Sequence, residues 1–180
     1  MIGQETRWIR QTLEGDTKAF SKLVKKYRDA MFYLAYNLCG NEDDAKDIAQ
    51  EAFIKAFKQL RQFKGNAQFS TWMHRITINQ TYDHLRRQSG YRHVAISDND
   101  IQTTPDDSNS EPDDQMQNAL NHLSFKQRQV VVLKYYHNYS YEEISELMAC
   151  TQSTVRNHML RAMKQLRHIL TRSNEKKEHA

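Results

Sequence analysis

The sequence predicts an all-α protein made of two small helical domains joined by a flexible acidic linker. Apolar residues recur at helical spacing in both halves of the chain, and the 180 residues include only five Gly and two Pro, too few for a fold of strands and tight turns. Charge separates the parts. Residues 1–92 carry 16 Lys and Arg against 10 Asp and Glu, residues 93–115 carry seven acids and no Lys or Arg, and residues 116–180 carry ten basic residues against five acidic ones.

Two helices are predicted in the first half of the first domain. The earlier one follows Gly15-Asp16 and keeps apolar residues at helical spacing as far as Gly40, a residue that suits the position after a helix end. Asn41 can cap the next helix, whose apolar stripe is the most regular in the chain. We expect this stripe to be core: Ala45, Ile48, Ala49, Ala52, Phe53, Ala56, Phe57 and Leu60.

The opposite face of the second helix is a candidate docking surface. Asp47, Gln50 and Glu51 surround Ile54 on a face that should meet solvent. Ile54 is either a single exposed apolar residue, which is common on protein surfaces, or the centre of a contact for a partner helix. The residues of this helix leave both interpretations open.

A third helix is predicted in the stretch NAQFSTWMHRITINQTYDHLRRQ, residues 66–88. Ser70 and Thr71 are residue types that cap helix N-termini, so we expect one of them to fix the helix start. Trp72 begins an apolar line along the helix, which favours inward packing over the alternative of an exposed stacking platform. The helix ends in Arg86-Arg87 and is basic, which suits an acidic polymer as partner.

Residues 93–115 predict a flexible, extended linker. They contain both prolines of the chain, Pro105 and Pro112, and are rich in Asp, Ser, Asn and Thr. Such a composition leaves almost nothing apolar to bury in a core.

Residues 140–167 predict a helix-turn-helix: SYEEISELMACTQSTVRNHMLRAMKQLR. Ser140 can cap its first helix, with Glu143 completing a capping box, and Thr151 can cap the second. The expected inner line of the second helix is Val155, Met159, Ala162, Met163, Leu166 and Leu170. The side chains left on the outer face include Arg, Asn and Lys, which suit guanine, adenine and phosphate respectively, so this helix is predicted to bind DNA.

No metal site, cofactor or catalytic centre is expected. Cys39 and Cys150 form no CxxC pair, and the eight His residues show no ligand spacing. One cluster of carboxylates could suggest an enzyme: Glu42, Asp43, Asp44, Asp47 and Glu51. These acids lie at a helix start and on its solvated face, where they favour the macrodipole, and no His or nucleophile joins them at a useful spacing. Because the cluster lacks a base and a pocket, no small-molecule substrate is expected. Without an apolar signal core or an 18-residue apolar run, we expect a cytoplasmic protein.

Three segments resemble bacterial RNA polymerase sigma factors of the extracytoplasmic-function (ECF) type. They are DDAKDIAQEAFIKAF (43–57), FSTWMHRITINQTYDHLRR (69–87) and LSFKQRQVVVLKYYHNYSYEEISELMACTQSTVRNHMLRAMKQLR (123–167). The resemblance covers most of residues 14–170. It implies that promoter DNA and core RNA polymerase are partners, together with an anti-sigma factor anchored in the membrane.

The resemblance also implies a role for each domain. Residues 1–92 would form a sigma-2-like domain that binds core polymerase and opens the −10 element. Residues 116–180 would form a sigma-4-like domain that binds the −35 element as duplex. The alternative is a stand-alone helix-turn-helix regulator, which would need a dimer interface or a sensor domain that the first half of the chain does not visibly offer.

Site residues follow from the same resemblance. Those implied to meet the clamp helices of the largest polymerase subunit are Asp47, Gln50, Glu51 and Ile54. Those expected to capture an unstacked −10 base are Lys64, Asn66, Phe69, Ser70, Thr71, Arg75 and Asn79, with Phe69 either contacting the base or serving as a hydrophobic staple. Those expected at the −35 element are Ser153, Thr154, Arg156, Asn157, His158, Leu160, Arg161 and Lys164.

Two residues depart from the family pattern. Ala149 stands in the turn of the helix-turn-helix, where Gly is frequent, and a left-handed conformation there would cost on the order of 1 kcal/mol. His158 stands where Arg is common, so its charge at a phosphate would depend on pH.

Overall fold

The computed structural model describes the backbone of residues 3–88 and 112–178, and the side chains of residues 3–88 and 115–171. All regular elements in these ranges are helical, which confirms the all-α prediction. The chain divides into two compact units, residues 1–36 with 41–84 and residues 37–40 with 85–180. Most of the predicted linker, residues 93–111, lies outside the described residues.

The first unit contains four α-helices, the last residues of two of which are assigned to the second unit, and one 3₁₀ turn. The elements are α1 (Gln4–Leu13), α2 (Thr17–Cys39), α3 (Glu42–Gln59), the turn Leu60–Gln62 and α4 (Phe69–Gln88). Helix α1 was not predicted from the sequence. It buries Ile9 and packs Trp8 against the core of this unit, so it belongs to the fold.

Helix α2 begins and ends, and helix α3 begins, where the sequence predicted. The Asp16 carboxylate accepts a hydrogen bond from the Lys18 amide at 2.9 Å and caps α2. Gly40 follows the end of α2 with φ of +79°, the left-handed conformation that favours glycine. The Asn41 side chain accepts a hydrogen bond from the Asp44 amide at 2.9 Å and caps α3.

The core of the first unit is built around the apolar stripe of α3. Seven of its eight predicted members are buried: Ala45, Ile48, Ala49, Ala52, Phe53, Ala56 and Leu60. The eighth corrects the prediction, because Phe57 is 44% exposed. Its ring packs edge-on against Phe20 of α2 at a centroid distance of 5.0 Å, while its other side lines an open groove between α2 and α3.

The second unit contains four helices: α5 (Pro112–Asn121), α6 (Phe125–Tyr135), α7 (Tyr141–Leu147) and α8 (Gln152–Glu178). Helix α5 begins four residues inside the segment predicted as linker. Pro112 accounts for this start, since proline lacks an amide hydrogen and suits the first position of a helix. The helical part of the second domain therefore begins earlier than position 116.

Both predicted caps of the helix-turn-helix are confirmed. The Ser140 hydroxyl accepts from the Glu143 amide at 3.2 Å, and the Ser140 amide donates to the Glu143 carboxylate at 2.8 Å. This second bond favours the ionised carboxylate and lowers the pKa of Glu143. The Thr151 hydroxyl accepts from the Thr154 amide at 3.2 Å at the start of α8.

The prediction of the inner line of α8 is confirmed except at Met163. Its buried members are Val155, Met159, Ala162 and Leu166, while Leu170 is half-buried. Met163 was predicted as core but is 41% exposed, because it lies beside the buried line rather than on it. The turn before α8 contains Ala149 with φ of +50°, so the left-handed conformation considered for this residue is present.

Candidate functional site

Three aromatic rings hold the loop that precedes α4. The Phe63 ring lies 5.5 Å from that of Phe69 and 5.4 Å from that of Trp72, measured between centroids. Phe69 is only 2% exposed, so a base cannot stack on it, and the prediction of a base contact by this ring is corrected to a core position. Trp72 is half-buried and packs against the same core, as its apolar line predicted.

The start of α4 differs from the prediction. The helix begins at Phe69, with the Trp72 amide donating to the Gln68 carbonyl at 3.2 Å. Ser70 and Thr71 therefore lie within the first turn and do not cap the helix. The reason is that burial of Phe69 draws it into the helix, which places Gln68 at the cap position.

The remaining residues predicted for −10 DNA are exposed. Lys64 and Asn66 belong to the loop, and Arg75 and Asn79 project from α4 one turn apart on one face. Gly65 has φ of +74° and turns the chain between the two loop residues. The arrangement offers cationic and amide groups to an acidic, hydrogen-bonding ligand.

The outer face of α3 presents the four residues predicted for polymerase. Asp47, Gln50 and Glu51 are exposed, and Ile54 is 46% exposed. Glu51 also accepts a hydrogen bond from the Gln80 side chain of α4 at 3.1 Å, which holds its carboxylate in place. Gln50 and Ile54 border the apolar groove between α2 and α3, which has a volume of about 560 Å³.

The acids at the start of α3 form ion pairs. Lys46 lies 2.8 Å from the Glu42 carboxylate and 3.4 Å from that of Asp43. His84 of α4 lies 3.0 Å from the Asp44 carboxylate. This last contact brings to the cluster a His that the sequence spacing did not indicate, and it links the first turn of α3 to α4.

The N-terminal half of α8 presents a polar and basic outer face. Its exposed members are Ser153, Arg156, Asn157, Leu160, Arg161 and Lys164. Thr154 is half-buried, and its hydroxyl lies 2.9 Å from that of Thr151, so it takes part in the cap. His158 is half-buried, and its burial, together with the charges of Lys126 and Arg161, lowers its pKa.

A residue that sequence reasoning missed lies beside Arg156. The ring of Tyr141, the first residue of α7, has the Arg156 guanidinium carbon at 5.9 Å and the Lys134 ammonium at 5.3 Å from its centroid. These are cation–π distances. No periodicity pairs residues of different helices, and the only sequence signal was the position of Tyr141 directly after the Ser140 cap.

Comparison with known proteins identifies both units. Residues 23–91 match Sigma-70 region 2, and residues 113–166 match Sigma-70, region 4. The ECF RNA polymerase sigma factor SigW of Bacillus subtilis is 34% identical over 173 residues, which cover 88% of this chain and 92% of SigW. This chain belongs to the ECF family of RNA polymerase sigma factors. RNA polymerase sigma-H factor of Pseudomonas aeruginosa is 32% identical over 178 residues, covering 88% of this chain and 90% of that protein.

Solved structures share the fold of this sigma factor. The sigma factor RpoE of Bartonella quintana, in complex with the anti-sigma factor NepR, has a TM-score of 0.68 at 23% identity, covering 86% of this chain and 98% of that one. CnrH in complex with the cytosolic domain of CnrY has a TM-score of 0.69 at 22% identity, covering 94% and 98%.

Membership in the family confirms the function that the resemblance implied. The protein is a sigma factor that binds core RNA polymerase and promoter DNA and directs transcription initiation; a stand-alone regulator is not favoured. Helix α1 of this sigma factor precedes the region 2 match, which begins at residue 23. Over the residues that the structure describes, no helix combines the length and apolarity that crossing a membrane requires.

Proposed function

We propose that this sigma factor recognises the −35 element as duplex through the outer face of α8 and captures melted −10 DNA with the loop 64–68 and α4. The observation that carries the proposal is the division of α8 into two faces. Val155, Met159 and Ala162 are buried, while Arg156, Asn157 and their outward neighbours are exposed. A helix that is buried along one side and polar along the other fits the major groove.

At the −35 element, each exposed side chain has a task that its chemistry suits. Arg156 and Arg161 can donate two hydrogen bonds to guanine, and Asn157 can pair with adenine. Lys164 suits a phosphate, and Leu160 suits a thymine methyl group. Ser153, Thr154 and His158 flank these residues and supply contacts to the DNA backbone.

At the −10 element, the proposal rests on an exposed loop between two rings of the aromatic cluster, one half-buried (Phe63) and one buried (Phe69). Phe63 and Phe69 fix the loop ends, while Lys64 and Asn66 face solvent between them. A base that has left the stack exposes its hydrogen-bonding edge, which the Asn66 amide can contact. Arg75 and Asn79 extend this surface along α4 and contact the part of the DNA strand that follows this base. Ser70 and Thr71 lie between the loop and these two residues, in the first turn of α4.

The outer face of α3 is proposed to bind core polymerase through Asp47, Gln50, Glu51 and Ile54. An exposed apolar residue inside a rim of acids and amides has the composition of a small interface centre. Because Glu51 is already held by Gln80, its carboxylate meets a partner without further ordering.

A protein inhibitor anchored in the membrane is the proposed regulator. Two structural neighbours are bound to partners: the sigma factor RpoE to the anti-sigma factor NepR, and CnrH to the cytosolic domain of CnrY. We assign this sigma factor to the cytoplasm, where core polymerase and DNA are found, and we assign it no catalytic chemistry, cofactor or small-molecule substrate of its own.

Transcription in vitro with core polymerase tests the proposal. We expect mapped start sites to share a −35 and a −10 sequence. Asn79→Ala should reduce open complexes on duplex promoters while leaving core binding intact. If the Asn79→Ala and Asn66→Ala variants are both as active as the unchanged protein on duplex and on pre-melted templates, the −10 assignment is wrong. Failure to co-purify with core polymerase would instead support a stand-alone regulator.

A further inference from the structure

We infer that helix α1 holds the −10 loop in position, and that Glu5 is the positioning residue through which it does so. The inference rests on the proposed function of the loop 64–68. The inference gives a role to α1, which lies outside the Sigma-70 region 2 match and contains none of the predicted contact residues.

The first step is the anchoring of the loop. Phe63 lies directly before the loop and Phe69 directly after it, and their rings meet nearly at right angles. Trp72 contacts both rings, at 5.4 Å from Phe63 and 5.6 Å from Phe69. The positions of Lys64 and Asn66 therefore depend on one aromatic cluster.

The second step joins this cluster to α2. The Tyr27 ring lies 5.6 Å from the Phe69 ring at an interplanar angle of 51°. Tilted aromatic pairs of this kind are stabilised by packing and by the attraction between their quadrupoles. A change in the tilt of the Tyr27 ring therefore alters its contact with the Phe69 ring. Tyr27 thus forms the side support of the cluster.

The third step joins Tyr27 to α1. The Tyr27 hydroxyl donates to the Glu5 carboxylate at 2.6 Å, and the Lys26 ammonium donates to the same carboxylate oxygen. Burial raises the pKa of Glu5, but the hydrogen bonds from Lys26 and Tyr27 outweigh it, and the net pKa is lowered. Glu5 is therefore a charged acceptor that fixes the direction of the Tyr27 hydroxyl.

The fourth step explains why this hydrogen bond affects the position of the loop. Between α1 and the loop lies a cavity of about 690 Å³, lined by Ile9, Arg10 and Leu13 on one side and by Lys64 and Gln68 on the other. Because α1 and the loop are not close-packed there, the loop has room to shift if Tyr27 tilts. The hydrogen bond between Glu5 and Tyr27 prevents this tilt, because it holds the Tyr27 side chain to α1.

Open-complex formation by the full chain with core polymerase tests the inference. Glu5→Ala and Tyr27→Phe should each slow opening of duplex promoters by about tenfold or more, the effect expected for one hydrogen bond to a charged group. The double variant should be no slower than either single one, because both remove the same bond. Glu5→Gln should lose less, since its amide oxygen still accepts from Tyr27. Glu14→Gln is the matched control, because Glu14 is exposed at the end of α1 and pairs with Arg10 at 3.8 Å.

A second readout separates positioning from stability. Promoters that differ at single −10 bases should be discriminated less well by Glu5→Ala, with −35 preference unchanged. A loss that is equal on every −10 sequence and follows the fall in thermal stability would overturn the inference. Asn66→Ala is run beside these variants. If it is impaired while Glu5→Ala and Tyr27→Phe are normal, α1 has no positioning role and the loop keeps its proposed function; if Asn66→Ala and Asn79→Ala are also normal, the proposed −10 function is itself wrong.

Discussion

The guanidinium of Arg156 lies over the ring of Tyr141, with its central carbon 5.9 Å from the ring centroid. Tyr141 is the first residue of α7, and its backbone position is fixed by the Ser140–Glu143 capping box. The planar guanidinium stacks on aromatic faces, so the ring limits the directions in which Arg156 can point. The first helix of the helix-turn-helix therefore orients a side chain that is predicted to contact a base from the second.

Arg156→Ala should relax recognition at one base pair of the −35 element. Loss of a bidentate arginine contact costs about 1–3 kcal/mol at the base that it recognises. Holoenzyme binding to promoters that vary singly across the −35 element measures this cost. If Arg156→Ala retains the full set of preferences, the assignment of Arg156 as a base contact is wrong.

Tyr141→Leu should weaken preference at the same base pair, by less than Arg156→Ala does. A cation–π contact at an exposed site contributes about 0.5–1 kcal/mol, and part of it is lost when leucine replaces the ring. Tyr141→Phe is the matched control, because it keeps the ring and loses only the hydroxyl. A fall in affinity for all sequences in Tyr141→Phe would show instead that the hydroxyl contacts a phosphate.

Ala149→Gly should stabilise the second unit. The left-handed conformation costs alanine about 1–2 kcal/mol. Glycine avoids that cost but adds freedom to the unfolded chain, which offsets about 0.4–1 kcal/mol. The net gain should be about 0.5–1 kcal/mol, measurable by amide hydrogen exchange in α7 and α8.

Asn138→Ala supplies the opposite test. Asn138 also has a positive φ, of +57°, but asparagine tolerates this conformation better than alanine does. The substitution should therefore lower the protection of the amide hydrogens of the second unit against exchange, while Ala149→Gly raises it. Equal effects of the two substitutions would contradict the backbone explanation.

Local features of this fold were predictable because the interacting residues are close in sequence. The caps at Asn41 and Ser140 each join residues three positions apart, and the stripe of α3 repeats within one helix. Phe57 has the same spacing as the buried residues of α3, yet it is exposed. Periodicity fixes the face on which a residue lies, but another element must cover that face before the residue is buried.

The sequence predicts only part of the candidate site, because some of its residues interact with residues that are distant in sequence. Exposed residues such as Asn66 and Arg156 follow from chemistry and position along a helix or loop. The support beneath them does not, because Glu5 and Tyr27 are 22 residues apart and meet only when α1 packs on α2. The contact between Asp44 and His84 was missed for the same reason.

Ile54→Ala should weaken binding to core polymerase by about tenfold. A residue at the centre of an interface contributes about 1–2 kcal/mol when its side chain is removed, and Ile54 is 46% exposed in the free protein. Competition for core polymerase measures the affinity. Because Ile54 is not in the core, the Trp fluorescence unfolding transition should stay in place.

Asp43→Asn is the matched control for Ile54→Ala. Asp43 lies at the start of the same helix with a side chain that is 93% exposed, outside the proposed contact. Its substitution should leave the affinity for core polymerase unchanged. If both variants bind as the unchanged protein does, Ile54 is a single exposed apolar residue without a partner role.

His158 should make −35 binding depend on pH. In the free protein, burial and the neighbouring Lys126 and Arg161 charges lower its pKa below 6.5, so the ring is neutral at pH 7.5. A phosphate oxygen beside the ring would favour the protonated form and raise the pKa in the complex. The complex then holds more protons than the free protein between these two pKa values, and affinity rises as the pH falls through this range.

The ratio of the affinities of the unchanged holoenzyme and a His158→Gln holoenzyme isolates this effect from other groups that titrate. The ratio should increase severalfold between pH 8 and pH 6 and level off below the pKa of the free protein. His158→Arg should tighten binding at every pH and make the salt dependence steeper by about one released counterion, because its charge is permanent. A ratio that stays constant with pH would show that His158 meets no phosphate. In that case, His158→Arg should also leave the salt dependence unchanged, since a cation that is distant from the DNA backbone releases no counterion.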